Sequence, residues 1–149
     1  ADPERVFIAG LLHDIGRLIL LKYYPEQSAW LMAYSRTNAR AVVEAEPAIF
    51  SLTHAELGNL ILRSWNFSDT TADLIQGHHG PFTGDIAKES AIIHFSDWLV
   101  HALEIGSSGE HAVPKLDTAA WDILGMSETV LDNTIRQIDR QVNETIQFF

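Results

Sequence analysis

The chain has 149 residues, 46% of them hydrophobic and 20% charged, which is long and apolar enough for one globular domain with a sizeable core. Its formal net charge of −10 disfavours nucleic acid and anionic membrane surfaces as partners, and no apolar run approaches the roughly 20 residues of a bilayer span. Cysteine is absent, so disulfides and thiolate ligands are excluded and any metal must rest on histidine and carboxylate; with no signal pattern at its start, the chain is expected in the cytoplasm.

Helix signals follow one another closely. Asp2-Pro3-Glu4 reads as a cap, a first-turn proline and a first-turn acid opening a helix that runs through Val6 to Tyr24, with Gly10 and Gly16 as points where it bends or ends. Pro25 and Glu26 open a second helix through Trp30, Leu31 and Tyr34, which fades into Ser35 to Asn38. A short segment from Val42 to Phe50 is interrupted by Pro47. Thr53 with Glu56 forms a capping box, followed by Leu57, Leu60, Ile61 and Trp65 at helical spacing. Ser68-Asp69 starts a helix that reaches Gly77-His78-His79, where Gly80-Pro81 stops it.

From Asp85 to about Ile105 the pattern is a long amphipathic helix, then a loop through Gly106, Ser107, Ser108 and Gly109 to Pro114. Asp117 caps a short helix ending near Gly125. Ser127 caps the last, whose Val130, Leu131, Ile135, Ile138, Val142 and Ile146 make one apolar stripe. No segment alternates with a strand's period, and no internal repeat is visible, so the fold is expected to be all-α. Phe7, Leu11, Leu18, Leu57, Ile61, Trp65, Ile92 and Ile93 are expected in the core.

Polar residues in or beside these apolar helices are the candidate site: His13, Asp14, His54, His78, His79 and Asp97. An imidazole and a carboxylate in the apolar run GLLHDIGRLIL cost stability unless something pairs with them. Adjacent helical residues differ by about 100° in direction, so His13 and Asp14 can both reach a centre lying between their faces. Imidazole suits zinc, iron, manganese and nickel, and a carboxylate can bridge two cations. Singly, each residue has a plainer reading. A histidine just after a cap is ordinarily a surface residue, a pair at a helix C-terminus complements the macrodipole, and an aspartate beside a tryptophan is commonly solvated. His94 and His101 share a helix face with Asp97, so a local His-Asp-His site is conceivable, although His101 is expected beyond reach of a centre built on His13. His111 is expected to be a solvated loop residue.

The stretches FIAGLLHDIGRLIL, THAELGNLILRSWNF, IQGHHGP and AIIHFSDWLVHAL, with the tail KLDTAAWDILGMSETVL, resemble the HD superfamily of metal-dependent phosphohydrolases, and within it the HDOD domain, the HD-related output domain of bacterial signalling proteins. The resemblance covers nearly the whole chain and implies a helical bundle with the metal site among its helices. It implies that His13 and Asp14 are the HD pair with Asp14 bridging, that His54, His78 and His79 complete a second metal position, and that Asp97 closes the first. Arg17 stands where catalytic members place a lysine; a guanidinium there can hold phosphate bidentately but is not its equivalent. A histidine expected upstream of the HD pair is absent from residues 1–12, and so is the helical region that precedes the HD part in full HDOD domains. The chain therefore reads as one domain over residues 1–149, a fragment cut from a longer polypeptide.

The resemblance implies a signalling output domain acting through other protein domains, with a complete or partial His/Asp metal site. It also leaves open a hydrolase in which Asp14 and Arg17 act on a nucleotide, a cyclic dinucleotide or another phosphoester, with a divalent iron, manganese, nickel or zinc ion polarising the phosphoryl group. The regulatory reading is favoured by the HDOD wording, the missing upstream histidine and Arg17. One or two ions are compatible with the ligand set; for this chain alone, weak or single-ion binding by Asp14, His54, His78 and His79 is expected, or an empty site. A third reading is a hydrogen-bonded polar network with no metal. Apolar surface left by the upstream part predicts a homodimer.

Overall fold

Local capping chemistry sets where most helices begin. In the computed structural model, which describes residues 1–106, 109–110 and 113–147, the Asp2 carboxylate accepts from the backbone N–H groups of Glu4 and Arg5 and starts α1 (Pro3–Leu12). The expected single helix to Tyr24 is broken at His13 and Asp14, after which α2 runs from Ile15 to Tyr23. Neither glycine makes the break. Asp14 sits at the N-cap of α2 but its side chain makes no cap hydrogen bond, because the carboxylate is committed elsewhere.

α3 (Pro25–Asn38) continues through the polar residues expected to fade and ends on Ala39 in the left-handed region. α4 (Val42–Phe50) runs through Pro47 rather than stopping there. The proline removes only the donor that would have met the Val43 carbonyl, and the helix tolerates that loss. α5 (His54–Ser64) opens on the Thr53/Glu56 capping box, and α6 (Asp69–Gln76) on Ser68, which accepts from the Thr71 N–H. A 3-10 turn at Gly77–His79 follows, ended by Gly80 at φ 85° and a cis bond to Pro81. A second 3-10 turn, Gly84–Ile86, leads into α7 (Ala87–Ala102); α8 (Thr118–Leu124) and α9 (Glu128–Ile146) are capped by Asp117 and Ser127. No strand occurs among the described residues. Ser107, Ser108 and His111, assigned to a loop from the sequence, lie outside them.

The core joins α1, α5, α6 and α7 through Ala9, Leu62, Ala72, Leu74, Ile75 and Ile93, with Val6, Leu12, Ile15 and Ile86 packed against it. Thus α1 turns Val6, Ala9 and Leu12 inward, and Phe7 and Leu11 are each 73% exposed. Leu18 and Trp65, also expected inside, are exposed, whereas Ile93 is buried and Leu57, Ile61 and Ile92 are half-buried. α1 is tied to α7 by Glu89, a buried carboxylate that accepts from Arg5 Nε at 2.8 Å, Arg5 Nη2 at 2.7 Å and the Asp2 backbone N–H at 2.7 Å. α2 crosses α5 so closely that a Cβ on Gly16 would lie 2.0 Å from the His54 carbonyl oxygen and 2.9 Å from the Gly58 nitrogen. That crossing brings the start of α2, and with it Asp14, against the first turn of α5. The apolar stripe of α9 has no fully buried residue.

Candidate metal centre

His54 is the first residue of α5, and the capping box that starts the helix also delivers its imidazole inward, where it is fully buried. This corrects the surface reading that a histidine after a cap invites. Its Nδ1 lies 2.9 Å and 2.8 Å from the two oxygens of Glu46, and its backbone N–H donates to Glu46 Oε2 at 2.8 Å. On the opposite edge of the ring, Nε2 is 3.1 Å from Asp14 Oδ1 and 3.0 Å from His79 Nε2. The 3-10 turn after α6 presents His78 and His79 together, their ring centroids 3.9 Å apart. One nitrogen from each of His54, His78 and His79 lies within 4.8 Å of the others.

His13 lies beside this cluster, its ring centroid 5.2 Å from that of His78. Its Nε2 is 3.5 Å from Asp97 Oδ1 and 3.8 Å from Asp14 Oδ2, so Asp97 meets His13 and not the three-histidine group. Arg17 is buried; its guanidinium is 3.1 Å from Asp14 Oδ2 and 2.7 Å from Glu110 Oε1.

The ring nitrogens test whether such a cluster suits a metal. A carbonyl or carboxylate oxygen can only accept, so the contacts of His54 Nδ1 to Glu46, His78 Nδ1 to the Ile75 carbonyl at 2.5 Å and His13 Nδ1 to the Gly10 carbonyl at 2.7 Å fix each Nδ1 as the protonated nitrogen. Each Nε2 then faces the cluster; that of His54, 3.1 Å from Asp14 Oδ1, carries a second proton when the ring is charged and a lone pair when it is neutral. His78 Nε2 is buried with no hydrogen-bond partner, which is costly for a lone pair unless a cation meets it. Three imidazoles that bring one nitrogen each together, two of them anchored through Nδ1, with a carboxylate 3.1 Å from one ring, are donors of the kind that fit a borderline divalent transition metal.

A model of the HDOD domain family matches residues 1–81, more than half of the chain. The chain belongs to the HDOD family. A Treponema pallidum (strain Nichols) protein described as uncharacterized is 26% identical over 105 residues, 61% of this chain and 20% of that protein, so the HDOD chain spans about a fifth of its relative's length. No solved structure matches it.

Charge in the HDOD site is tightly coupled. Burial pushes the Asp14 carboxyl up, but the hydrogen bond from His54 and the charges of Arg17, His54 and His13 more than offset this, leaving it well below the usual carboxylate range. Burial likewise opposes a charged His54, yet its hydrogen bonds to Asp14 and Glu46 hold it above its ordinary value. His78 is pushed down to about 3 by burial and by the charges of His54 and His13, and His79 is driven down by burial and its two neighbouring histidines.

The suggested His94-Asp97-His101 set does not converge. His94 Nδ1 donates to the His78 carbonyl at 3.0 Å and its Nε2 accepts from the Asp117 N–H at 3.1 Å, so it braces the HDOD histidine turn from outside. His101 comes within 3.1 Å of Asp97 Oδ1 and is not among the three histidines that gather. Sequence reasoning missed Glu46 and Glu110. An acid inside the apolar run VVEAEPAIF is a signal that could have flagged Glu46; Glu110, in a polar loop, carries none.

Proposed function

We propose that this HDOD domain is a regulatory output module of a longer bacterial signalling protein, binding one divalent transition metal through His54, His78 and His79 with Asp14 and acting through contacts with other protein domains. Arg17 carries the preference for regulation over hydrolysis. The residue that matches the phosphate-facing lysine of catalytic members is buried beside Asp14 and Glu110; its Nε and Nη1 make no hydrogen bond, but they are enclosed and so offer a phosphoester little. The buried, unpartnered His78 Nε2 supports the metal. A relative of which this chain matches only 20% supports a larger parent protein. Exposed Phe7, Ile8 and Leu11 on α1 support a protein contact there. No helix among the described residues is long and apolar enough to cross a membrane.

Iron, manganese, nickel or zinc fits the donors, and such an ion, held by His54, His78, His79 and Asp14, would supply a positive charge between α5, the histidine turn and the start of α2. His13, beside His78, and Asp97, beside His13, are the residues a second ion would need. The test loads the protein with manganese, iron or nickel and offers phosphoesters, cyclic dinucleotides among them. Saturable metal uptake without turnover above that of an H13A/D14A double variant is expected; turnover well above the variant would replace this reading with the phosphohydrolase.

A further inference from the structure

Of the buried carboxylates outside the proposed donor set, one touches the cluster's central ring with both oxygens. We infer that Glu46 is the positioning residue of the metal centre, holding the proton of His54 on Nδ1 so that Nε2 is the nitrogen presented to the cluster; this rests on the metal reading above. Glu46 is 1% exposed and lies in α4, the helix that continues through Pro47. Its Oε2 takes both the His54 backbone N–H and Nδ1 at 2.8 Å, and Oε1 takes Nδ1 at 2.9 Å. Two oxygens that can only accept therefore face two nitrogens that must donate; Asp14 offers Nε2 a single, longer contact at 3.1 Å from a more exposed carboxylate, so the neutral ring's one proton stays on Nδ1, and a flip or tautomer exchange would leave the closer, buried carboxylate against a lone pair. The backbone contact fixes the first turn of α5 to the same carboxylate, so ring and main chain are set as one unit. His13 and His78 have their Nδ1 atoms held by backbone carbonyls within their own turns; only His54 depends on a side chain from another helix.

Glu46→Gln separates positioning from mere packing, because its shape is kept while one oxygen becomes an NH2 group. That group can donate to Nδ1 and so favours the tautomer with the proton on Nε2, which cannot bind a metal. The experiment records ring nitrogen-15 spectra of His54 in metal-free protein at alkaline pH and after zinc addition, with zinc affinity from calorimetry. Wild type is expected to keep a proton on Nδ1 in both states. E46Q is expected to move it to Nε2 and to bind zinc about 10–100-fold more weakly, while Glu46→Asp, a shorter group that still only accepts, keeps the Nδ1 proton and regains part of the affinity. Glu89→Gln, which loses a buried carboxylate between α1 and α7, should leave the His54 signals in place. If E46Q fails to fold, E46D alone decides: loss of its Nδ1 proton overturns the assignment. A wild-type ring without a proton on Nδ1, or an E46Q protein with an unchanged tautomer and undiminished zinc affinity, overturns it as well. If wild type binds no zinc while E46Q still switches tautomer, the metal reading fails and the role of Glu46 stands.

Discussion

His54 Nε2 and His79 Nε2 lie 3.0 Å apart, with Asp14 Oδ1 3.1 Å from the first. Two bare lone pairs at that distance repel, so a proton or a metal must stand between them. His54 is the proton's holder in the metal-free site, since its hydrogen bonds to Asp14 and Glu46 keep it above the ordinary histidine value against the pull of burial, whereas His78 is held near 3 and stays neutral. The sign follows: below the raised His54 value an incoming ion must displace that proton, and above it only the single N–H of neutral His79 stands between the two nitrogens, which a tautomer exchange removes without release of a proton. Zinc affinity is expected to fall as pH drops from 8 to 6, by about tenfold per unit where one proton is displaced. Calorimetry in buffers of different ionisation enthalpy would show the released proton, and a flat affinity across that range would contradict it.

Among helices, the closest approach is that of α2 to α5. Gly16→Ala places a methyl 2.0 Å from the His54 carbonyl oxygen, which belongs to backbone and cannot swing aside. A loss of about 2–3 kcal/mol in urea unfolding is expected, with weaker metal binding as Asp14 moves off His54. Gly10→Ala meets nothing within 4 Å and sits inside α1, so the same change there should add about 0.5–1 kcal/mol. Equal effects at the two positions would show that the crossing is looser than described. Helix starts were legible because a cap bond spans only two or three residues, as at Asp2, Thr53, Ser68, Asp117 and Ser127. The break at His13-Asp14 was not, because the Asp14 carboxylate is drawn to His54 by a tertiary contact that no local pattern encodes. The core suffered similarly. Spacing says that Phe7, Leu11 and Leu18 are apolar residues on a helical period, but not which face of the helix another helix covers.

Across the whole molecule, packing is uneven. α5 and α6 contribute Leu62, Ala72, Leu74 and Ile75 to the core, and α9 contributes no buried residue. Backbone amides of α9 are therefore expected to exchange hydrogen with solvent orders of magnitude faster than those of α5 and α6, since opening α9 exposes little apolar surface. Mass spectrometry of exchanged peptides checks this, and equal protection would mean that the α9 stripe is covered in solution. The HD-like bundle was legible as a whole from its ordered motifs. Within the site, the histidines themselves were legible, being chemically unusual in apolar runs, whereas their anchors were not: Glu46 is one acid among many, and the Ile75 and Gly10 carbonyls are main chain that any residue supplies. The buried Arg17 guanidinium also joins parts of the chain remote in sequence, since Glu110 both pairs with it at 2.7 Å and accepts from the Val42 N–H at 3.3 Å. In mechanical terms this is a buckle: Glu110, between α7 and α8, is linked to Asp14 through two ion pairs that share the Arg17 guanidinium.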